Sequence, residues 1–279
     1  MEEYPLLSHI LSPYDVGKLT EEQLENLCGE IRFFLIRSLS LTGGHLASNL
    51  GIVEIATAID SVFQSPKDKI IYDVGHQCYV HKLLTGRMDQ FASLRQLDGL
   101  SGFPRPWESP HDAFIGGHAS MSISAALGMA RARTLRGEDH SVVCVIGDGE
   151  ADEGQVWEAF HFAYAHKLDN IIYFIDNNGY QLDGPTADIL DHGNIAKKAE
   201  SFGLYTQEID GHDVKAIYDA IQNAYAKKGV PSCIVLDTCK GKGATFAEPK
   251  HDHSSQPNEE QWAEALAAAE KALEDAKNA

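Results

Sequence analysis

Cysteine is scarce in this chain of 279 residues: there are five, at Cys28, Cys78, Cys144, Cys233 and Cys239, and no two of them form a Cys-x-x-Cys pair. A disulfide-stapled scaffold is thereby excluded, and free thiols, mostly buried, in a reducing cytoplasm are the expectation. Long apolar runs are missing as well. None approaches the roughly 20 residues that span a bilayer, and the acidic start Met1-Glu2-Glu3-Tyr4-Pro5 lacks a signal-peptide pattern. A membrane span is not expected, and the cytoplasm is the expected location. Positive charge is in short supply. Lys and Arg total 23 against 41 Asp and Glu, a net charge of −18. A nucleic-acid backbone would be repelled, which excludes it as a partner. Phosphorylated small molecules are not excluded, because a local site can still be basic. There is no internal repeat and no low-complexity segment.

The informative stretch runs from Gly147 to Gly184. Ser141 to Ile146 is apolar and β-branched, the pattern of a buried strand. Gly147-Asp148-Gly149-Glu150 follows. Glu153, Trp157, Phe160 and Tyr164 then recur at the spacing of one helix face. Asn170 to Ile175 reads as a second buried strand and leads into Asp176-Asn177-Asn178-Gly179. Such a β-α-β unit places polar residues at the carboxyl ends of its strands, where open α/β sheets bind ligands. Asp148 and Asn178 would lie side by side there. A carboxylate and a neutral carbonyl oxygen beside glycine turns suit Mg²⁺ bound to a diphosphate. Gly147 and Gly149 let backbone approach a phosphate, and the backbone carbonyl of Tyr180 is a third candidate metal ligand.

The pairing of Gly147-Asp148-Gly149 with Asn177-Asn178 resembles the thiamine diphosphate motif. Gly154-Gln155-Val156-Trp157-Glu158-Ala159 and Asn178-Gly179-Tyr180-Gln181-Leu182-Asp183-Gly184 resemble transketolases, in particular the amino-terminal subunit of split transketolases. The upstream half is more similar to 1-deoxy-D-xylulose-5-phosphate synthase: Gly43-Gly44-His45-Leu46-Ala47-Ser48-Asn49-Leu50-Gly51, Tyr72-Asp73-Val74-Gly75-His76-Gln77 and Gly117-His118-Ala119-Ser120. The resemblance extends from about Leu19 to Pro257. It implies thiamine diphosphate and Mg as cofactors. It also implies a cofactor-binding set of His76, Gly117, His118, Gly147, Asp148, Gly149, Glu150, Asn178 and Lys240, with Asp148, Asn178 and Tyr180 on the metal. By the same resemblance His45 and His76 match histidines that face the reacting carbon and the substrate's oxygens. His253 matches a substrate-binding histidine after Lys240-Gly241-Lys242-Gly243, although the local spacing leaves His251 as an alternative. Asp73 receives no role. Asp68, Asp152 and Glu153 read as capping or surface charges.

The remaining pattern predicts a single α/β domain over 1–279, with a doubly wound, mostly parallel sheet and helices on both faces. Residues 1–18 read as a lead-in. Thr20-Glu21-Glu22-Gln23 is a capping-box pattern that opens a helix to about Leu39. A second helix is expected from Gly51 to Phe63 and a strand over 69–73. Residues 86–116 look like a long functional loop, and 120–135 like a helix of small residues suited to close packing on the sheet or on another subunit. Strands at 203–209 and 232–238 flank a helix over 213–227. An alanine-rich amphipathic helix runs from Asn258, with Trp262, Leu266 and Leu273 inward.

One sheet's worth of strands precedes Ala279. In the resembling families the glutamate that activates the cofactor lies on a second, pyrimidine-binding domain. That glutamate is therefore expected from another polypeptide, with two copies of this chain joining two of its partner. The expectation is a natural subunit rather than a cut piece. The expected function is ketol transfer by a split transketolase, from a ketose phosphate donor to an aldose phosphate acceptor. The alternatives are the same half of a deoxyxylulose-phosphate synthase-like enzyme using pyruvate, and a non-catalytic homologue that keeps the fold.

Overall fold

A computed structural model describes residues 4–248 and 257–278. In chain order the helices and strands are α1 (Pro13–Val16), α2 (Glu21–Thr42), α3 (Leu46–Gly51), α4 (Val53–Val62), β1 (Lys69–Tyr72), α5 (Tyr79–Leu84), α6 (Met121–Arg136), β2 (Val142–Gly147), α7 (Gly154–Ala165), β3 (Ile171–Asn177), β4 (Tyr180–Gln181), β5 (Gly184–Pro185), α8 (Thr186–Ile189), α9 (Ile195–Ser201), β6 (Tyr205–Asp210), α10 (Val214–Ala226), β7 (Ser232–Asp237) and α11 (Glu259–Asn278). They fall into two compact units. The first comprises Met1–Val62, His76–Gly102 and Cys239–Ala279, the second Phe63–Gly75 and Phe103–Thr238.

The first unit is helical among its described residues. Thr20 caps α2 as its sequence predicts: the Thr20 hydroxyl accepts from the Gln23 amide at 3.3 Å, and the Gln23 side chain accepts from the Thr20 amide at 2.9 Å. The lead-in is anchored rather than loose. The buried Glu30 carboxylate of α2 accepts the backbone N–H groups of Leu6 and Leu7. The single helix expected over 51–63 is two, because α3 ends at Gly51 and α4 begins at Val53. Long helix α11 lies along α2, where a Cβ on Gly29 would meet the Leu273 side chain at 3.6 Å. Among its described side chains Ala265, Ala269 and Leu273 are buried, while Trp262 and Leu266 are half-buried. The four-residue spacing of the buried set is the α-helical repeat.

The second unit holds a five-stranded sheet in the order β1-β2-β3-β7-β6, with every pairing parallel. Its three inner strands, β2, β3 and β7, lack the polar–apolar alternation of a sheet with one wet face. Val142, Cys144 and Ile146 alternate with Val143 and Val145, and all five are buried. Strands buried on both faces give such continuous runs. One face carries Ile123, Ala126 and Ala130 of α6, Val156, Ala159, Phe160 and Ala163 of α7, and Ile195 and Ala199 of α9. Small side chains on α6 let it approach β1 and β2 closely. Within the loop-like region a short 3-10 helix spans Met88–Ser93. Asp68 acts as a capping charge: its carboxylate accepts from Gln64 N at 2.8 Å and Ser141 N at 2.7 Å. All five cysteines are free, four of them buried. No helix among the described residues is long and apolar enough to cross a membrane.

Ile175 is fully buried in β3 beneath the β2–β3 turns. Ile175→Ala is expected to cost about 2–5 kcal/mol through lost burial and the cavity left behind. A denaturant midpoint within error of the parent would contradict a close-packed centre at this strand.

Candidate active site

Strands β2 and β3 run parallel with Gly147 opposite Asp176, so both chains leave the sheet at the same level. Asp148 N–H donates to the Asp176 carbonyl at 3.0 Å, extending the ladder by one bond beyond β2. The Asp148 carboxylate, 1% exposed, then draws the two turns together. Its Oδ1 accepts from Gly149 N at 2.8 Å and its Oδ2 from Gly179 N at 2.5 Å. Gly179 has φ +75, a left-handed conformation that side-chain-bearing residues disfavour. Asn178 is oriented on both ends: its Nδ2 donates to Asp176 Oδ2 at 3.0 Å and its Oδ1 accepts from Tyr180 N at 3.0 Å. Asp176 is in turn held by the Thr238 hydroxyl. The expected neighbours Asp148 and Asn178 are thus brought together, with Tyr180 next to them. A Cβ on Gly149 would meet Gln181 Cβ at 2.5 Å, so only glycine lets β4 lie this close to the turn.

Carboxylates are concentrated here. Glu150 is nearly buried and its Oε2 accepts from Gly147 N at 2.6 Å. Burial pushes its carboxyl well above the usual range, and the charges of Asp73, Asp176 and Asp148 add to the rise, while the Gly147 N–H opposes it. Asp73, which received no role from the sequence, accepts the backbone N–H groups of Ser120 and, at 2.9 Å, of Ser122 at the start of α6. Ser120 there has φ +69, and its carbonyl accepts from Gln155 Nε2 at 2.8 Å. Gly117 and His118, in the loop just before, are exposed, and His118 Nδ1 lies 2.9 Å from the Ala119 carbonyl. Asp152, read as a surface charge, contacts His192 at 3.2 Å with its side chain only 12% exposed.

The chemistry of these groups can be tested against a divalent cation. Among the described residues no three His, Cys, Asp or Glu side chains are placed to hold a metal. One carboxylate, one amide oxygen and a backbone carbonyl form a different kind of set. Hard oxygen donors of low total charge suit Mg²⁺, which keeps water and phosphate oxygens in its remaining positions. Asp148 and Asn178 fit that description.

The helical unit contains the histidine pair. His45 precedes α3 and His76 precedes α5, with their rings 5.7 Å apart and inclined at 73°. Both are half-buried. Asn49 donates to the carbonyls of His45 and His76 at 2.8 Å each. Tyr79 places its hydroxyl 3.3 Å from His45 Nδ1. Neither Asn49 nor Tyr79 was among the expected site residues; the polar Asn within an apolar helical run was the available signal. Lys240 is 2% exposed, on a segment whose Gly241 N donates to the Ala47 carbonyl at 2.9 Å. His251 and His253 lie outside the described residues.

Known proteins bear on this arrangement. The sequence profile described as 1-deoxy-D-xylulose-5-phosphate synthase matches residues 7–189. The chain belongs to the 1-deoxy-D-xylulose-5-phosphate synthase family. The synthase of Pelotomaculum thermopropionicum is 44% identical over 291 residues, covering 88% of this chain and 46% of that protein. That of Caldanaerobacter subterraneus is 40% identical over 300 residues, covering 90% and 48%. The chain therefore spans about half the length of these curated relatives. Solved transketolases share the fold. The Pichia stipitis enzyme superposes with TM-score 0.75 at 19% identity, over 93% of this chain and 46% of that one. The Campylobacter jejuni enzyme gives 0.73 at 21%, over 92% and 48%. The α/β fold expected from the sequence, with its largely parallel sheet, is the transketolase-like one of this family.

A raised Glu150 pKa fixes the sign of a pH effect. The folded chain holds this proton more tightly than the unfolded chain, so the associated stability is complete below about pH 4.3, the ordinary glutamate value, and is lost as pH rises toward the folded one. Glu150→Gln keeps the shape without the charge. It should flatten that loss and be the more stable protein at neutral pH, as read from denaturant midpoints across pH. An unchanged slope would place the effect elsewhere.

Proposed function

We propose that this chain is the thiamine diphosphate- and Mg-binding half of a deoxyxylulose-phosphate synthase-type enzyme. The reaction would decarboxylate pyruvate and pass the two-carbon unit to glyceraldehyde 3-phosphate. The observation that carries the reading is the Asp148–Asn178 pair at adjacent strand ends, in a chain whose curated relatives bear the synthase name. Split transketolase, the first expectation from the sequence, gives way to its alternative on substrate. The synthase relatives are 40–44% identical, whereas the transketolases at 19–21% share the fold.

Asp148 and Asn178 would hold the cation, with the Tyr180 carbonyl as third ligand. Gly147 and Gly149 would give the diphosphate access to backbone. When bound, the thiazolium ring supplies the electron sink for carbon–carbon bond making and breaking. His45 and His76 would donate hydrogen bonds to substrate oxygens and move protons. Gly117, His118, Glu150 and Lys240 are assigned to cofactor contact. His253, or His251, is assigned to substrate. The activating glutamate would come from a polypeptide carrying the other half, in an assembly of two copies of each chain in the cytoplasm.

Two measurements test this reading. Quenching of tryptophan fluorescence by thiamine diphosphate should require Mg²⁺ and vanish in Asp148→Ala. Asp176→Asn, which removes the carboxylate that orients Asn178 and takes the Thr238 hydroxyl, should weaken Mg²⁺ by roughly 10–100-fold, the usual cost of losing an outer-shell partner. With the second half supplied, pyruvate and glyceraldehyde 3-phosphate should give deoxyxylulose 5-phosphate. Turnover of xylulose 5-phosphate with ribose 5-phosphate, and none of pyruvate, would restore the transketolase reading.

A further inference from the structure

Helix α4 is apolar along most of its length, with Val53, Ile55, Ala56, Ala58 and Ile59 all fully buried. Glu54 stands among them and is itself only 6% exposed. A buried carboxylate is costly unless it is paired. Glu54 is paired twice on one oxygen: Oε1 accepts from Arg32 Nη2 of α2 at 2.6 Å and from Lys242 Nζ at 3.4 Å. Arg32 alone would balance the charge and tie α4 to α2. The second cation comes from 188 residues further along the chain, in the stretch Lys240-Gly241-Lys242-Gly243.

That stretch lies directly on α3. Gly241 N donates to the Ala47 carbonyl at 2.9 Å. A Cβ on Gly51 would meet the Cys239 carbonyl oxygen and Lys240 Cα, each at 3.4 Å. Gly243, at φ +88, passes where a Cβ would strike the Arg32 side chain. The turns of the stretch are closed by Ala244 N on the Gly241 carbonyl at 3.0 Å and by Gly243 N on Glu248 Oε1 at 2.6 Å. Helix α3 begins at the residue after His45. The backbone of Lys240, a residue 2% exposed, is thereby registered to the helix that His45 leads into.

We propose that Glu54 is a positioning residue: by holding Lys242 it keeps the stretch from Lys240 to Gly243 seated on α3, and so sets where Lys240 stands relative to His45. Arg32 fixes the carboxylate from one side and leaves it aimed at the stretch. The inference deepens the proposed function and rests on it for the task of Lys240, though not for the seating of the stretch.

The first test is amide hydrogen exchange of the ligand-free full chain, read at the Gly241 N–H. It should be protected in the parent. Lys242→Met leaves the Glu54–Arg32 pair and the α2–α4 contact in place. Gly241 should then exchange roughly 2–5-fold faster, the range for a partly exposed ion pair, while the central amides of α2 keep their rates. Lys242→Arg should restore the protection. Glu54→Gln should speed Gly241 at least as much as Lys242→Met does. An unprotected Gly241 in the parent would overturn the proposal, and this can be read whether or not a variant folds. A Gly241 rate in Lys242→Met equal to the parent's would overturn it too.

The second test is thiamine diphosphate binding with Mg²⁺, which separates positioning from general support of the fold. Lys242→Met should weaken binding by roughly the same 2–5-fold factor in the parent and have no effect in a Lys240→Ala background, where there is no amine left to position. Equal losses in both backgrounds would refute the positioning role. A chain with the expected exchange pattern but without cofactor binding would refute the functional reading alone.

Discussion

The register between β2 and β3 is the constraint on which the candidate metal site depends. Because Gly147 stands opposite Asp176, the turns after the two strands start at one height, and a single carboxylate can bond to both. A slip of one residue would turn the core side chains of β2 to the other face and carry Asp148 away from Gly179. The register is held by residues that never approach a ligand: Ile146, Tyr173 and Ile175 on one face, Val145 and Phe174 on the other, all buried. Core and site are here one interaction seen at two distances.

That arrangement concentrates negative charge. Asp73, Asp148, Glu150 and Asp176 are all buried or nearly so, and the three aspartates add to the cost that burial puts on ionising Glu150. Backbone N–H groups provide most of the compensation. Those of Ser120, Ser122, Gly147, Gly149 and Gly179 all donate to carboxylates. Buried carboxylates satisfied in this way have little freedom to reorient. The placement of these carboxylates is consequently set by the fold itself.

Much of this was legible in the sequence, for reasons that differ by element. The β-α-β unit could be read because strands buried on both faces give unbroken apolar runs, and because Gly-Asp-Gly and Asn-Asn-Gly interrupt them abruptly. Helix α2 announced itself through Thr20 and Gln23. Less legible were contacts made by residues far apart in the chain. Asp73 carried no local signal of its bonds to Ser120 and Ser122, and Glu30 none of its hold on Leu6 and Leu7. Asn49 and Tyr79 received no role, because the groups they bond around His45 and His76 are brought together only by the fold. Asp176 was read only as part of the segment after a strand and received no role, although it sets the orientation of Asn178. Substrate choice was the weakest reading, since different parts of the sequence resemble transketolases and the synthase family.

The helical unit is assembled from three separate stretches of chain, the last beginning at Cys239. Helix α11 lies on α2, so nearly the whole sequence intervenes between the two faces that meet. During synthesis α2 emerges early and its α11-facing side stays wet until α11 has left the ribosome. The sheet unit closes with β7 and can be complete before then. Closing so long a loop late is slow compared with local helix formation, and an uncovered apolar stripe in the interval is a target for chaperones or for another nascent chain.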